Sequence, residues 1–257
     1  MGFLDLFGGK GGKGGLRKLA QKVTEKYGPP ENRQKAIQQL ADQGTAEALG
    51  VLCLRFTIRA DPGITDDEEK ENVRSILVDA GEAAVGPVKE FLAHQESGVS
   101  WGLRVLAELR PPEDVVATAL GLLHKLGREY TRDPEKKLVL LSWLAEHHGD
   151  LTPLAPPPAD GASSVVDDTL LPLLEDFADD VRIAAVRLVA RQPPQEKARV
   201  ALLELLVRDR DNARVRGEVL QALVDLGADV KGYRPTVEAL LLEPWYLDKD
   251  GHVKRRG

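Results

Sequence analysis

Apolar residues recur at three- and four-residue spacing through most of the chain, the mark of helices that bury one face. Leu16, Leu19, Ala20 and Val23 share such a face, and so do Ala36, Ile37, Leu40 and Ala41 in the segment that follows Gly28-Pro29-Pro30. The pattern predicts helices over 16–27, 31–43, 46–58, 65–80, 82–93, 99–109, 113–126 and 134–147, then over 165–177, 181–191, 196–207 and 213–226. Start signals agree with it. Thr45 is placed to cap the third helix, Thr65-Asp66-Asp67-Glu68 reads as a capping box, and Asp133-Pro134 reads as an N-cap followed by a first-turn proline. The helix over 46–58 is apolar almost all round, which predicts burial between neighbours. After a short helix at 236–242 the pattern changes: Trp245-Tyr246-Leu247 and His252-Val253-Lys254 flank Lys249-Asp250-Gly251, a hairpin signal. A lone hairpin is marginal, so Trp245 or Tyr246 is expected to pack on the last helices as a cap.

Two kinds of repetition run through this pattern. Leu170-Leu171-Pro172-Leu173-Leu174, then Val181-Arg182 with Ala185 and Leu188, is answered by Leu202-Leu203-Glu204-Leu205-Leu206, then Val215-Arg216 with Val219 and Ala222; the offsets are 32 and 34 residues. A helix ending L-x-D-x-G occurs at Leu40–Gly44, Leu77–Gly81 and Leu223–Gly227, with looser forms at Leu106-Ala107-Glu108 and Leu144-Ala145-Glu146. Its Leu faces inward in the last turn and its Gly takes the left-handed cap. Helix pairs repeating at this period signal a stacked helical array.

These residues resemble the HEAT repeat family and its bacterial HEAT-like, bilin-lyase-type relatives. The resemblance implies an all-α fold, an α-solenoid of stacked antiparallel helix pairs, here with a small C-terminal β-hairpin cap. It implies a flexible tail at 1–15, HEAT-like repeats at 16–150, a Pro-rich linker at 151–164, further repeats at 165–230, and a cap with a basic tail at 231–257. It also implies ion pairs between the turn Asp and second-helix Arg of neighbouring repeats, at Asp180 with Arg182 and Asp211 with Arg216.

Composition narrows the functional classes. The formal charge is −6 over 257 residues, but residues 1–28 carry six bases against two acids and residues 249–257 carry four against one, leaving 29–248 at −13. An acidic body with basic ends argues against a dedicated duplex-DNA binder. Cys53 is the single cysteine and sits among Leu52, Leu54 and Phe56, so it reads as a small core residue, with no internal disulfide and no cysteine zinc cluster. No apolar run approaches the roughly 20 residues of a membrane-spanning helix, and no signal peptide is evident, so a cytoplasmic location is the default. The abundance of Ala, Leu, Gly and Pro, with Arg in excess of Lys, suggests a GC-rich bacterial genome.

The candidate chemistry is sparse. Gly9–Gly14 formally matches G-x-G-x-x-G, but no strand precedes it and no βαβ unit follows, so it reads as a linker. Asp66-Asp67-Glu68-Glu69 reads as the acidic first turn of a helix rather than a metal or basic-partner site. His147 and His148 are adjacent, about 100° apart on a helix, and make a poor chelate. The remaining candidates are binding residues. Phe3, Leu4, Leu6 and Phe7, followed by Lys10 and Lys13, form a head that suits a membrane or partner anchor, a disordered end, or docking on the protein's own first repeat. Arg182, Arg187, Arg208, Arg214 and Arg216 stack repeats or line a basic groove. Trp101 and Trp143 occupy comparable helix positions and read as packing residues or ligand contacts.

These features favour a non-catalytic scaffold that binds a protein or peptide and requires no cofactor and no metal, cytoplasmic or peripheral at the inner membrane. The alternative is a nucleic-acid-binding protein or alkylpurine DNA glycosylase, a class with HEAT-like arrays of about this length whose basic concavity holds damaged duplex between Trp, Asp and Arg. The bilin-lyase branch has no matched motif here.

Overall fold

The computed structural model describes residues 13–128, 130–155 and 164–256. Among them are thirteen α-helices, one 3-10 turn and one two-stranded antiparallel sheet. The helices form antiparallel pairs, so the fold is all-α and HEAT-like, with a small C-terminal sheet. Contacts divide the chain into Met1–Val115 and Val116–Gly257, the boundary falling inside α7 (Pro112–Leu126).

The first unit stacks α1 (Lys13–Val23), α3 (Ala46–Cys53) and α5 (Glu82–His94) in one row and α2 (Pro30–Gln43), α4 (Gly63–Asp79) and α6 (Val99–Leu109) in the other. α3 is the innermost element, buried on every side from Ala48 to Cys53, as its all-apolar surface predicts. The Thr45 hydroxyl accepts a hydrogen bond from the Ala48 amide and caps it. Gly44 takes the left-handed cap and Gly81 a positive φ where two L-x-D-x-G endings place them. Gly98 is left-handed as well and lies so close to Phe56 that a Cβ would stand 2.6 Å from the Phe56 carbonyl oxygen.

Three expectations change here. α1 begins at Lys13 rather than residue 16, so Lys13, Gly14 and Gly15 are helical. The third helix ends at Cys53 and continues as the 3-10 turn Leu54–Thr57. α4 begins at Gly63 with Pro62 as its cap, not with a Thr65 capping box. The reason is Asp66, which faces the core: its carboxylate accepts from the Ala60 amide at 2.9 Å and from Arg55 at 2.6 Å, tying the preceding loop to the helix.

That contact belongs to a buried ionic cluster. Arg33 donates to both Glu69 oxygens, Arg55 donates to Glu69 and Asp66, and Lys70 pairs with Asp66 at 2.7 Å. All five side chains are buried. Arg55 comes from the 3-10 turn; the other four occupy the inward stripe of α2 (Arg33, Ala36, Ile37, Leu40) and of α4 (Asp66, Glu69, Lys70, Val73, Leu77), so each stripe opens with charge and ends with apolar residues. Arg33 also donates to the carbonyls of Glu25 and Gly28, which secures the α1–α2 turn.

The second unit places α8 (Glu135–His147), α10 (Asp179–Val189) and α12 (Ala213–Asp225) in a closely packed row, and α9 (Val165–Leu173), α11 (Glu196–Arg208) and α13 (Arg234–Leu240) in a looser one. α8 begins one residue past the expected Pro134, with the Asp133 carboxylate accepting from the Glu135 amide. α9 stops at Leu173, four residues short of expectation. Asp176 draws the chain out of the helix: one carboxylate oxygen accepts from the Ala178 amide and the other meets the buried Lys137 ammonium at 2.6 Å. The Pro-rich stretch 151–164 falls within this unit and lies mostly outside the described residues. Its first residue is anchored, the Leu151 amide donating to Gln192 Oε1.

β1 (Trp245–Leu247) and β2 (Val253–Arg255) pair with Trp245 opposite Arg255 and Leu247 opposite Val253. The hairpin packs on α12 through β2 and buries Val253. Trp245 is only half-buried and Tyr246 is exposed, so the residue that seals the last helix pair is Val253 rather than either aromatic. Asp248 shapes the turn by accepting from the amides of Asp250 and His252.

Candidate functional site

The structure distributes the sequence candidates over three places. Phe3, Leu4, Leu6 and Phe7 lie outside the described residues. Trp101 lies in the first unit and Trp143 and the arginines in the second.

Trp101 is half-buried. Its ring stacks on Phe56 at 5.6 Å, nearly parallel, and its other face carries the Arg104 guanidinium 4.4 Å from the ring centre. It lines an open groove of about 790 Å³ between α4 and α6, together with Asp67, Glu68, Glu71, Arg74 and Arg104. The groove's charges are largely engaged with one another. Glu71 accepts from Arg74 at 2.8 Å and lies 3.5 Å from Arg104, and Arg74 also reaches Glu108. The hydrogen bond from Arg74 holds the Glu71 carboxyl below its usual range.

Trp143 is a core residue, 6% exposed, with the His147 ring stacked on it at 4.6 Å and His148 tilted against it at 5.3 Å. Burial, then the neighbouring His147, pushes the His148 pKa down. Among the described residues no group of three His, Cys, Asp or Glu is placed to hold a metal ion.

The arginines bind the protein's own acceptors. Arg182 lies 2.8 Å from Asp209 of the next repeat and 2.6 Å from Asp179 of its own, and donates to the Asp176 carbonyl. Arg214 reaches back to Asp180, Asn212 to Asp179, Arg187 forward to Glu218, and Arg208 back to the Leu174 carbonyl. Arg216 donates to the Arg210 carbonyl. Neighbouring repeats are thus joined by Arg–Asp contacts, but with partners other than the expected Asp180–Arg182 and Asp211–Arg216. The register differs because α10 starts at Asp179, which puts Asp179 three residues before Arg182 and leaves Asp180 facing the following repeat.

The feature sequence reasoning missed is on the looser row of the second unit. Where α7, α9 and α11 diverge, a cleft of about 750 Å³ opens over Gly127, Thr169, Leu171, Pro172 and Ala201. Charges of both signs rim it: His124, Arg128 and Lys197 from α7 and α11, and Asp168 and Glu175 from α9 and its end. Arg128 and Glu175 are ion-paired across it. Two residues beyond each of these stand Tyr130 and Phe177, edge to face at 6.1 Å and each 70% exposed. Thr169 is 2% exposed, and its hydroxyl has no hydrogen-bond partner. The expected helix over 165–177 would include Phe177; the helix stops at Leu173 and Phe177 lies beyond it, exposed. Its pairing with Tyr130, 47 residues away, has no local signature.

Residues 168–255 match the family model for HEAT repeats. No curated protein and no solved structure matches the chain. The matched stretch contains the Arg–Asp contacts between repeats, most of two walls of the cleft and the hairpin.

Proposed function

Taking residues 168–255 as HEAT repeats, we propose that the chain is a non-catalytic interaction scaffold whose second unit binds a protein or peptide partner. The observation that carries this reading is the exposed Tyr130–Phe177 pair, two residues beyond the Arg128 and Glu175 that rim the cleft. Two large aromatic side chains left in water, beside a groove rimmed by both charges, match the anchor-and-rim pattern of protein contact surfaces. In this reading Phe3, Leu4, Leu6 and Phe7 form a second attachment point, to a partner or to the inner-membrane surface.

The nucleic-acid alternative draws no support from the same geometry. Arg182, Arg187, Arg208, Arg214 and Arg216 are spent on acceptors within the protein, Trp143 is buried under two imidazoles, and Trp101 is sandwiched between Phe56 and Arg104. No described helix is long and apolar enough to cross a membrane.

The test is affinity capture from a nuclease-treated lysate with the wild type and with Tyr130→Ser/Phe177→Ser. A stoichiometric protein partner held by the wild type and lost by the double variant supports the reading. Recovery of nucleic acid alone, or a partner held equally by both, overturns it.

A further inference from the structure

We infer that the outward face of α1 is a docking surface for an anionic phospholipid bilayer. The inference rests on the second attachment point of the scaffold reading and names its partner.

α1 separates its residues into two sides. Leu19, Ala20 and Val23 are buried and Leu16 is half-buried, while Arg17, Lys18, Gln21 and Lys22 are exposed. Spacings of three and four residues place those four on one outward stripe, and Lys26 is exposed just past the helix end. α1 is the one helix among the described residues that contains no acidic residue, so nothing on the helix itself neutralises the stripe. Arg17, Lys18, Lys22 and Lys26 form no ion pair with any described residue. The other basic end of the chain is different: Arg256 pairs with Glu243 and lies over Tyr246, and Arg255 lies over Trp245.

Four exposed, unpaired bases call for an anionic surface, and their neighbours in the chain decide which kind. Phe3, Leu4, Leu6 and Phe7 precede α1, with five residues, Gly8–Gly12, between them and the helix. At the far end Tyr27 is 84% exposed beside Lys26. Apolar side chains joined to a basic patch are the two signals that reversible bilayer attachment needs, and tyrosine favours the headgroup level. A nucleic acid or an acidic peptide would satisfy the bases but leave the four apolar side chains in water. Charge also orients the contact. Residues 29–248 carry −13, which an anionic bilayer repels, so α1 is the side that approaches it.

The experiment is co-sedimentation of the full chain with vesicles of phosphatidylcholine alone and of phosphatidylcholine with an equal part of phosphatidylglycerol. Binding to the mixed vesicles is expected to be at least tenfold tighter and to weaken as NaCl rises from about 0.1 to 0.5 M. A base at an anionic surface strengthens attachment about fivefold, so Arg17→Gln/Lys18→Gln/Lys22→Gln should weaken binding roughly a hundredfold. Its melting temperature should not change, because the three side chains are exposed and glutamine has a similar helix propensity; the three single variants, each about fivefold weaker, give a second measure. Lys249→Gln/Lys254→Gln should bind as the wild type does. Equal binding to both kinds of vesicle, mixed-vesicle binding unchanged in the triple variant, or no vesicle binding with duplex DNA or polyglutamate bound instead would overturn the inference. Capture of a protein that depends on Tyr130 and Phe177 is read separately: its survival after a failed vesicle test leaves the scaffold reading standing, and its loss beside intact vesicle binding removes that reading alone.

Discussion

Arg33 and Glu69 meet through two hydrogen bonds, Nε to Oε2 at 2.9 Å and Nη2 to Oε1 at 3.2 Å, with both side chains buried. Glu69 also accepts from Arg55, so one carboxylate bridges two guanidinium groups in the core. Removing it leaves Arg33 without its carboxylate partner and Arg55 with Asp66 alone. Glu69→Ala is expected to cost about 3–5 kcal/mol, the range for breaking a buried pair. Urea unfolding followed by far-ultraviolet dichroism measures this, and a loss below about 1 kcal/mol would show that water readily replaces the carboxylate.

Asp66 in the same cluster gives stability a pH dependence. Burial raises its pKa, but hydrogen bonds from Lys70, the Ala60 amide and Arg55 together outweigh that and hold the carboxyl below its ordinary value. A folded-state pKa below the unfolded one adds stability above the unfolded pKa, and this is lost as pH falls through the folded value. Unfolding free energy is therefore expected to drop on acidification below about pH 4. Asp66→Asn should make that limb of the profile shallower, and an unchanged slope would contradict the assignment.

The contacts between repeats differ in weight. Arg182 and Asp209 are each 12% exposed at the side chain, so water competes little with their pairing, whereas Arg214 and Asp180 are mostly exposed. Asp209→Ala is expected to cost about 1–3 kcal/mol. Arg214→Ala should cost below about 1 kcal/mol. Thermal melts of the two variants give the comparison, and equal losses would refute the burial argument.

Gly98 joins φ +78° to a backbone approach that leaves no room for a Cβ. Gly98→Ala must strain the turn or push away the Phe56 segment that supports Trp101. A loss of about 2–3 kcal/mol is expected, together with a change in near-ultraviolet dichroism from the Phe56–Trp101 stack. Retention of both would show that the α5–α6 turn yields freely.

Cys53 is fully buried in α3, and burial pushes its thiol pKa far up. It should resist a disulfide reagent such as DTNB in the native protein and react fully once denatured. Rapid native reaction would mean that α3 opens.

How much of this was legible depended on sequence distance. The L-x-D-x-G endings fixed Gly44, Gly81 and Gly227 because a positive φ at a helix end is a local demand, and the Asp-Gly turn between β-formers placed the hairpin for the same reason. The buried cluster was hidden because it replaces apolar residues in the stripes that periodicity reads. Glu69 sits at the end of an acidic run that the helix dipole alone would explain, and its partner Arg33 is 36 residues away. The cleft was hidden for a related cause: it exists because α9 ends early, and the residue that ends it, Asp176, is held by Lys137 from another helix. Pairings of that kind are decided in three dimensions and leave no short-range trace. The partners of the repeat arginines also differ from the expected Asp180–Arg182 and Asp211–Arg216, and α10 begins two residues before the expected Val181.

The burial of Val253 bears on how copies of this chain can associate. A stack of helix pairs with a bare apolar end is a growing end, and successive copies added head to tail there would form an open filament. The hairpin lies against α12 there, and the burial of Val253 removes apolar surface that such an addition would need.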